Sequence, residues 1–135
     1  MKYRILIVSA NYYTDISNNL LKDAKTTLKS KAKYQIINVP GVFEIPVIIA
    51  KNIKKYHGFI ALGCVIKGET PHFDFISTTT INAIMNLSIV HKKPIGNGIL
   101  TCLYKRQAKA RSGSFNKVGK GTEAAKAVLS VLNNS

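Results

Sequence analysis

The sequence predicts an α/β domain in which helices cover both faces of a four-stranded parallel sheet, a three-layer α/β/α sandwich. Apolar runs of strand length alternate along the chain with segments of helical periodicity, the signature of βαβ units joined by right-handed crossovers. The leading run is nearly continuous rather than alternating, as in strands buried on both faces. The 135 residues suit one domain, spanning 1–135, whose core needs neither disulfides nor a metal. No linker, internal repeat or low-complexity tract divides it.

Taken in order, Tyr3 to Ser9 is the first strand. Asn18 to Leu28 has helical spacing, with Ser17 placed as its cap. Tyr34 to Val39 reads as the second strand, Phe43 to Ile53 as the second helix and Phe59 to Cys64 as the third strand. Ile76 to His91, apolar nearly all round, predicts a long, well-buried helix. Ile95 to Thr101 is the fourth strand, the basic run from Lys105 to Arg111 a short helix, and Gly121 to Leu132 the closing helix.

Composition bears on function by exclusion. The apolar run within Met1 to Val8 is short and lacks the small-residue cleavage site of a signal peptide. No stretch approaches the roughly 20 apolar residues of a membrane span, so a cytoplasmic protein without a membrane partner is expected. Cys64 and Cys102 end predicted strands and have no Cys or His partner at metal-binding spacing. They read as reduced core thiols, and no metal is expected. The net charge of +14 invites a nucleic-acid reading. The cations, however, are spread along the chain, the aromatics do not interleave with them, and no helix-turn-helix, zinc or RNA-binding sheet motif appears. The densest basic run would equally suit a phosphorylated metabolite, and charge alone does not choose between the two.

In open parallel sheets, ligands bind outside the carboxyl ends of the strands. Those ends fall here at Ser9 to Tyr13, Pro40 to Glu44, Val65 to His72 and Thr101 to Leu103. The third is the most informative, because an apolar strand, a Gly-containing loop, His72 and a helix start follow one another. Anion-binding backbone amides and a titratable group thus lie within a few residues. His57 in a polar connector and His91 at a helix C-terminus read as structural.

The segments Val39-Pro40-Gly41-Val42-Phe43-Glu44-Ile45-Pro46 and Gly63-Cys64-Val65-Ile66-Lys67-Gly68-Glu69-Thr70-Pro71-His72-Phe73-Asp74 resemble the two most characteristic motifs of the lumazine synthases of riboflavin biosynthesis. Further matches are Asn97-Gly98-Ile99-Leu100-Thr101, Gln107-Ala108 with Ala110-Arg111, and Gly119-Lys120-Gly121 before Glu123-Ala124-Ala125, so the resemblance spans nearly the whole chain in order. It implies a flavodoxin-like strand order, 2-1-3-4. It also implies a cofactor-free condensation of 5-amino-6-ribitylaminouracil with 3,4-dihydroxy-2-butanone 4-phosphate, giving 6,7-dimethyl-8-ribityllumazine, phosphate and water.

By that resemblance His72 is the proton shuttle and Arg111 the phosphate-binding arginine, with Lys120 near the same site. Gly68, Glu69 and Thr70 offer backbone N–H groups to the phosphate, and Thr70 adds its hydroxyl. Tyr12 stacks on the pyrimidine, Val42, Phe43 and Glu44 form the pyrimidine and ribityl pocket, and Val65 and Ile66 belong to the binding edge. Asn97 stands where the family often has an aromatic that packs on the ligand from a neighbouring subunit. Other departures are the basic Leu103-Tyr104-Lys105-Arg106, Tyr13 in place of the more usual Asn or His, and a slightly longer loop from Ser112 to Gly119.

Because the family builds each site between adjacent subunits, a homo-oligomer is implied. The short N-terminal reach, the longer loop and the charge favour a free pentamer over a shell of sixty subunits. Association with riboflavin synthase is compatible with the resemblance, and no nucleic-acid partner is expected on it. Two alternatives stand beside it: an archaeal-type riboflavin synthase, against which the intact Gly-Glu-Thr-Pro-His-Phe-Asp stretch argues, and a basic flavin- or RNA-binding module without turnover.

Overall fold

The computed structural model describes residues 2–69, 72–113 and 119–134. Four strands, β1 (Tyr3–Ala10), β2 (Ala32–Val39), β3 (Gly58–Ile66) and β4 (Ile95–Cys102), form one all-parallel sheet in the order β2-β1-β3-β4. This is the predicted flavodoxin-like order, which leaves β2 and β4 as the edges. Among the described residues five helices connect and flank the strands: α1 (Thr14–Leu28), α2 (Ile45–Lys51), α3 (Phe73–His91), α4 (Lys105–Arg111) and α5 (Lys120–Asn133).

Side-chain alternation divides the interior into two layers. Ile5 and Ile7 of β1 point with Ile60 and Leu62 of β3 toward α1 and α5, where Leu20, Ala24, Ala125 and Val128 meet them. Leu6, Val8, Phe59 and Ala61 point the other way, toward Ile45 and Ile49 of α2 and Ile84 of α3. Central β3 is buried along its whole length. Each fully buried Ile or Leu contributes about 1.5–3 kcal/mol, so a continuous apolar strand is what this position requires.

The boundaries differ from expectation where tertiary contacts outweigh local pattern. α1 begins at Thr14, and Ser17 lies inside it rather than capping it. The Ser17 hydroxyl donates to the Ala10 carbonyl at 2.7 Å, fastening the helix to the end of β1. The expected Phe43 to Ile53 helix is split into a 3-10 turn at Val42–Glu44 followed by α2, with Pro46 in the first turn of α2, where its missing N–H costs nothing.

α3 corrects the expectation of a well-buried helix. It buries only Ser77, Thr80 and Ile84, while Phe75, Met85, Ile89 and Val90 are each more than half exposed. One sheet face shared with α2 covers one side of a helix, and an all-round apolar helix needs a second cover.

Candidate active site

The carboxyl ends of β1, β2 and β3 converge on a pocket of about 280 Å³ whose walls include Tyr12, Val42, Phe43, Val65, Ile66 and Ile76. The backbone fixes its floor. Asn11 N–H donates to the Val39 carbonyl at 3.1 Å, and Glu44 N–H closes the 3-10 turn on the Gly41 carbonyl at 3.2 Å. Gly63 allows the turn to settle on the sheet, because a Cβ there would lie 3.1 Å from that of Ala10 and collide with Val42.

Two aromatic rings are left bare at this floor. Tyr12 is 72% exposed and Phe43 57%, so their faces are open to a planar ligand. Tyr12 is held edge-on to Tyr13, with ring centroids 4.8 Å apart. Glu44 is half-buried, and a Cβ at Gly41 would lie 3.2 Å from its Oε1. That carboxylate therefore folds back over the turn, where it can accept hydrogen bonds from a polyol.

The loop after β3 forms a 3-10 turn, Lys67–Glu69. Gly68 lies beside the exit of β4, as a Cβ on it would be 3.8 Å from the Leu103 carbonyl. Thr70, and the Glu69 side chain, lie outside the described residues. His72 occupies the N-cap position of α3 and is exposed. Its carbonyl accepts from Ile76 N–H at 2.8 Å, which sets His72 one helical turn before a residue lining the pocket.

A second pocket, of about 370 Å³, lies on the edge strand β4 and is lined by Ile99, Leu100, Thr101, Arg111, Lys120 and Glu123. Arg111 ends α4 and Lys120 opens α5, so two cations meet there although the loop between them is long. Arg111 Nη1 donates to the Sγ of Cys102 at 3.8 Å. Burial pushes the Cys102 thiol above its ordinary value, with the Arg111 charge and hydrogen bond acting against it. Asn97 is exposed on the same strand, and its Oδ1 accepts from Ile99 N–H at 3.0 Å.

Within one chain, then, the expected residues form two groups. Tyr12, Val42, Phe43, Val65 and Ile66 line the first pocket, and His72 caps the helix that brings Ile76 to it. Arg111 and Lys120 line the second. Thr101, marked in the sequence as a strand end, lines the second pocket, and Ile76 and Glu123 line these pockets without having been foreseen. Ile76 could have been found from its place one turn beyond His72, whereas nothing local marks Glu123.

The remaining polar candidates are structural. His57 Nδ1 accepts from Arg4 N–H at 2.9 Å, and His91 sits in the last turn of α3. Both cysteines are buried and neither is in a disulfide among the described residues. Among the described residues no cluster of His, Cys, Asp and Glu is arranged to hold a metal ion, and no helix is long and apolar enough to cross a membrane.

Residues 2–135 match the family model described as 6,7-dimethyl-8-ribityllumazine synthase. Among curated relatives, the 6,7-dimethyl-8-ribityllumazine synthase of Bartonella henselae is 46% identical over 97% of this chain and 87% of its own length. The 6,7-dimethyl-8-ribityllumazine synthase 1 of Rhodopseudomonas palustris is 43% identical over 95% of this chain and 85% of its own. The Agrobacterium fabrum synthase is 43% identical over 97% and 93% respectively.

Proposed function

The chain belongs to the 6,7-dimethyl-8-ribityllumazine synthase family, and from that premise we infer that it condenses 5-amino-6-ribitylaminouracil with 3,4-dihydroxy-2-butanone 4-phosphate. The products are 6,7-dimethyl-8-ribityllumazine, phosphate and water, so the protein is a transferase of riboflavin biosynthesis. The observation that carries this reading is the bare aromatic pocket at the strand ends with His72 opening the adjacent helix.

The chemistry needs two substrates held together and protons moved between them. The pyrimidine amine attacks the butanone carbonyl and expels a first water, forming an imine. Phosphate then leaves, the product tautomerises, the ring closes and a second water is lost. Holding both partners in one pocket supplies a large part of the rate, and proton transfer supplies most of the rest. Tyr12 and Phe43 would sandwich the pyrimidine edge, Glu44 would accept from ribityl hydroxyls, and the amides of Gly68, Glu69 and Thr70 would face the phosphate. His72 would carry the proton, while Arg111 and Lys120 would grip the phosphate, the arginine bidentately.

The separation of Arg111 and Lys120 from the aromatic pocket supports a site shared between subunits. A neighbour presenting its β4 edge, with Asn97, to these strand ends would bring the two groups together. The exposed apolar side of α3 supports a closed ring. The +14 charge of each subunit opposes the stacking of rings at low salt, so the preferred assembly is a free pentamer. On the same reading the enzyme works in the cytoplasm and delivers its product to riboflavin synthase, a candidate partner. Riboflavin synthase activity of the chain itself, or a turnover-free flavin or RNA module, gains no support from the likenesses.

Mixing the purified protein with both substrates tests the reaction. Lumazine fluorescence should appear at a rate proportional to enzyme, and should not appear with either substrate alone. A rate no faster than that of the substrates without protein would overturn the assignment.

A further inference from the structure

A cleft of about 830 Å³, larger than either strand-end pocket, opens at the opposite edge of the sheet, where the strands begin, and is lined by Arg4, Lys33, Tyr34, Gln35, Lys55 and Tyr56. Its walls are fixed by hydrogen bonds. Arg4 N–H donates to His57 Nδ1 at 2.9 Å, and His57 N–H donates to the Arg4 carbonyl at 2.8 Å. The turn carrying Lys55 and Tyr56 is thereby clamped to β1. Tyr56 Oη donates to Gln35 Oε1 at 2.5 Å, and its ring stands edge-on to buried Phe59, with centroids 6.0 Å apart.

The charges in this cleft are uncompensated. Arg4 and Lys33 are direct partners on neighbouring strands, an arrangement of like charges that costs stability. Among the described residues the ion pair formed is between Lys109 and Asp15, and none of Arg4, Lys33 and Lys55 has a carboxylate within reach. Nothing in the condensation uses these cations, and the folded core does not need them.

We propose that this cleft binds a nucleotide carrying two or more phosphate groups, with the phosphates on Arg4, Lys33 and Lys55 and the base against the tyrosine and glutamine wall. The volume lies within the range of small-molecule sites. Arginine and lysine together suit a polyphosphate, and a lining that includes aromatic and amide groups suits a heterocycle better than a bare anion. The inference does not rest on the catalytic reading, since no residue is common to the two sites.

Calorimetric titration of the intact assembly with ATP at physiological salt tests it, using Arg111→Ala protein as the background that removes the edge-strand phosphate site. Binding of one ATP per subunit should persist in Arg111→Ala. It should weaken about tenfold or more on adding Lys33→Glu or the milder Lys33→Gln, with folding checked by circular dichroism and condensation activity unchanged by the Lys33 substitutions alone. Lys126→Glu, the same charge change on the exposed side of α5, should leave affinity as it was. Tripolyphosphate should bind more weakly than ATP, and adenosine should not bind measurably.

The proposal is overturned by absence of binding, by loss of binding in Arg111→Ala, or by equal weakening in Lys126→Glu, which would mark a diffuse field rather than a site. Tripolyphosphate binding as tightly as ATP would remove the base from the proposal. Displacement of ATP by a short single-stranded oligonucleotide of higher affinity would reassign the cleft to nucleic acid.

Discussion

The guanidinium of Arg111 rests on the buried thiol of Cys102, with Nη1 3.8 Å from Sγ. The cation ends a seven-residue helix on the surface, and this contact ties it to the end of β4. A surface arginine is ordinarily free to sample many rotamers, so an anchor of this kind prepares it to meet an anion.

Arg111→Ala should therefore raise KM for the butanone phosphate by about 10- to 100-fold, because a hydrogen bond to a charged group is worth about 1.5–3 kcal/mol. KM for the pyrimidine should move little, and inorganic phosphate should compete less well. Steady-state kinetics with each substrate varied in turn decides it: equal effects on both would make the arginine a structural anchor.

Burial holds the Cys102 thiol above its ordinary value of 9.0, against the pull of Arg111. An acid whose folded pKa is raised favours folding fully below its unfolded pKa, and loses that contribution as pH rises beyond it. Urea unfolding from pH 7 to pH 10 should show stability falling above pH 9, with a smaller fall in Cys102→Ala. An identical alkaline slope in the two proteins rejects this.

His72 is exposed at the start of α3, so its removal should leave the fold intact. His72→Ala is expected to lower kcat by about 10- to 1,000-fold, nearer the lower end because water and the substrate's own phosphate can also carry protons. An unchanged rate would remove His72 from the mechanism.

Gly121 sits where α5 crosses α1. A Cβ there would lie 3.0 Å from the Leu20 carbonyl carbon and clash with its oxygen. Replacing glycine by alanine in a helix ordinarily stabilises by about 0.5–1 kcal/mol. Here the sign should reverse, with a loss of about 1–3 kcal/mol from overpacking, read as a lower Tm. A rise in Tm would show that the crossing is looser than described.

Light scattering tests the assembly. A mass of five subunits is expected, and one near sixty rejects the free pentamer. Ile89→Glu, in the exposed apolar side of α3, should shift the protein toward monomers and lower activity with it. Full activity in a monomer would reject the shared site.

The alternation of strands and helices was legible in the sequence because it depends on local period: β1, β3 and β4 fall within one or two residues of the apolar runs that predicted them. The strand-end location of Tyr12, Val42, Phe43 and His72 was legible for the same reason, since a parallel sheet sends its loops to one edge. The strand order came instead from the family motifs. Other features depended on which surfaces meet. Ser17 looked like a cap, yet the Ala10 carbonyl drew it inside α1. α3 looked buried, but a single sheet face covers only one side of it. Arg111 and Lys120 lie apart from the aromatic pocket because α4 and α5 bring them to the edge strand β4, and the cationic cleft exists because Arg4 and Lys33 come into register on adjacent strands. Period and turn chemistry act over a few residues and can be read from the chain. Register, edge position and cover act between segments far apart in sequence, so only the folded structure decided them.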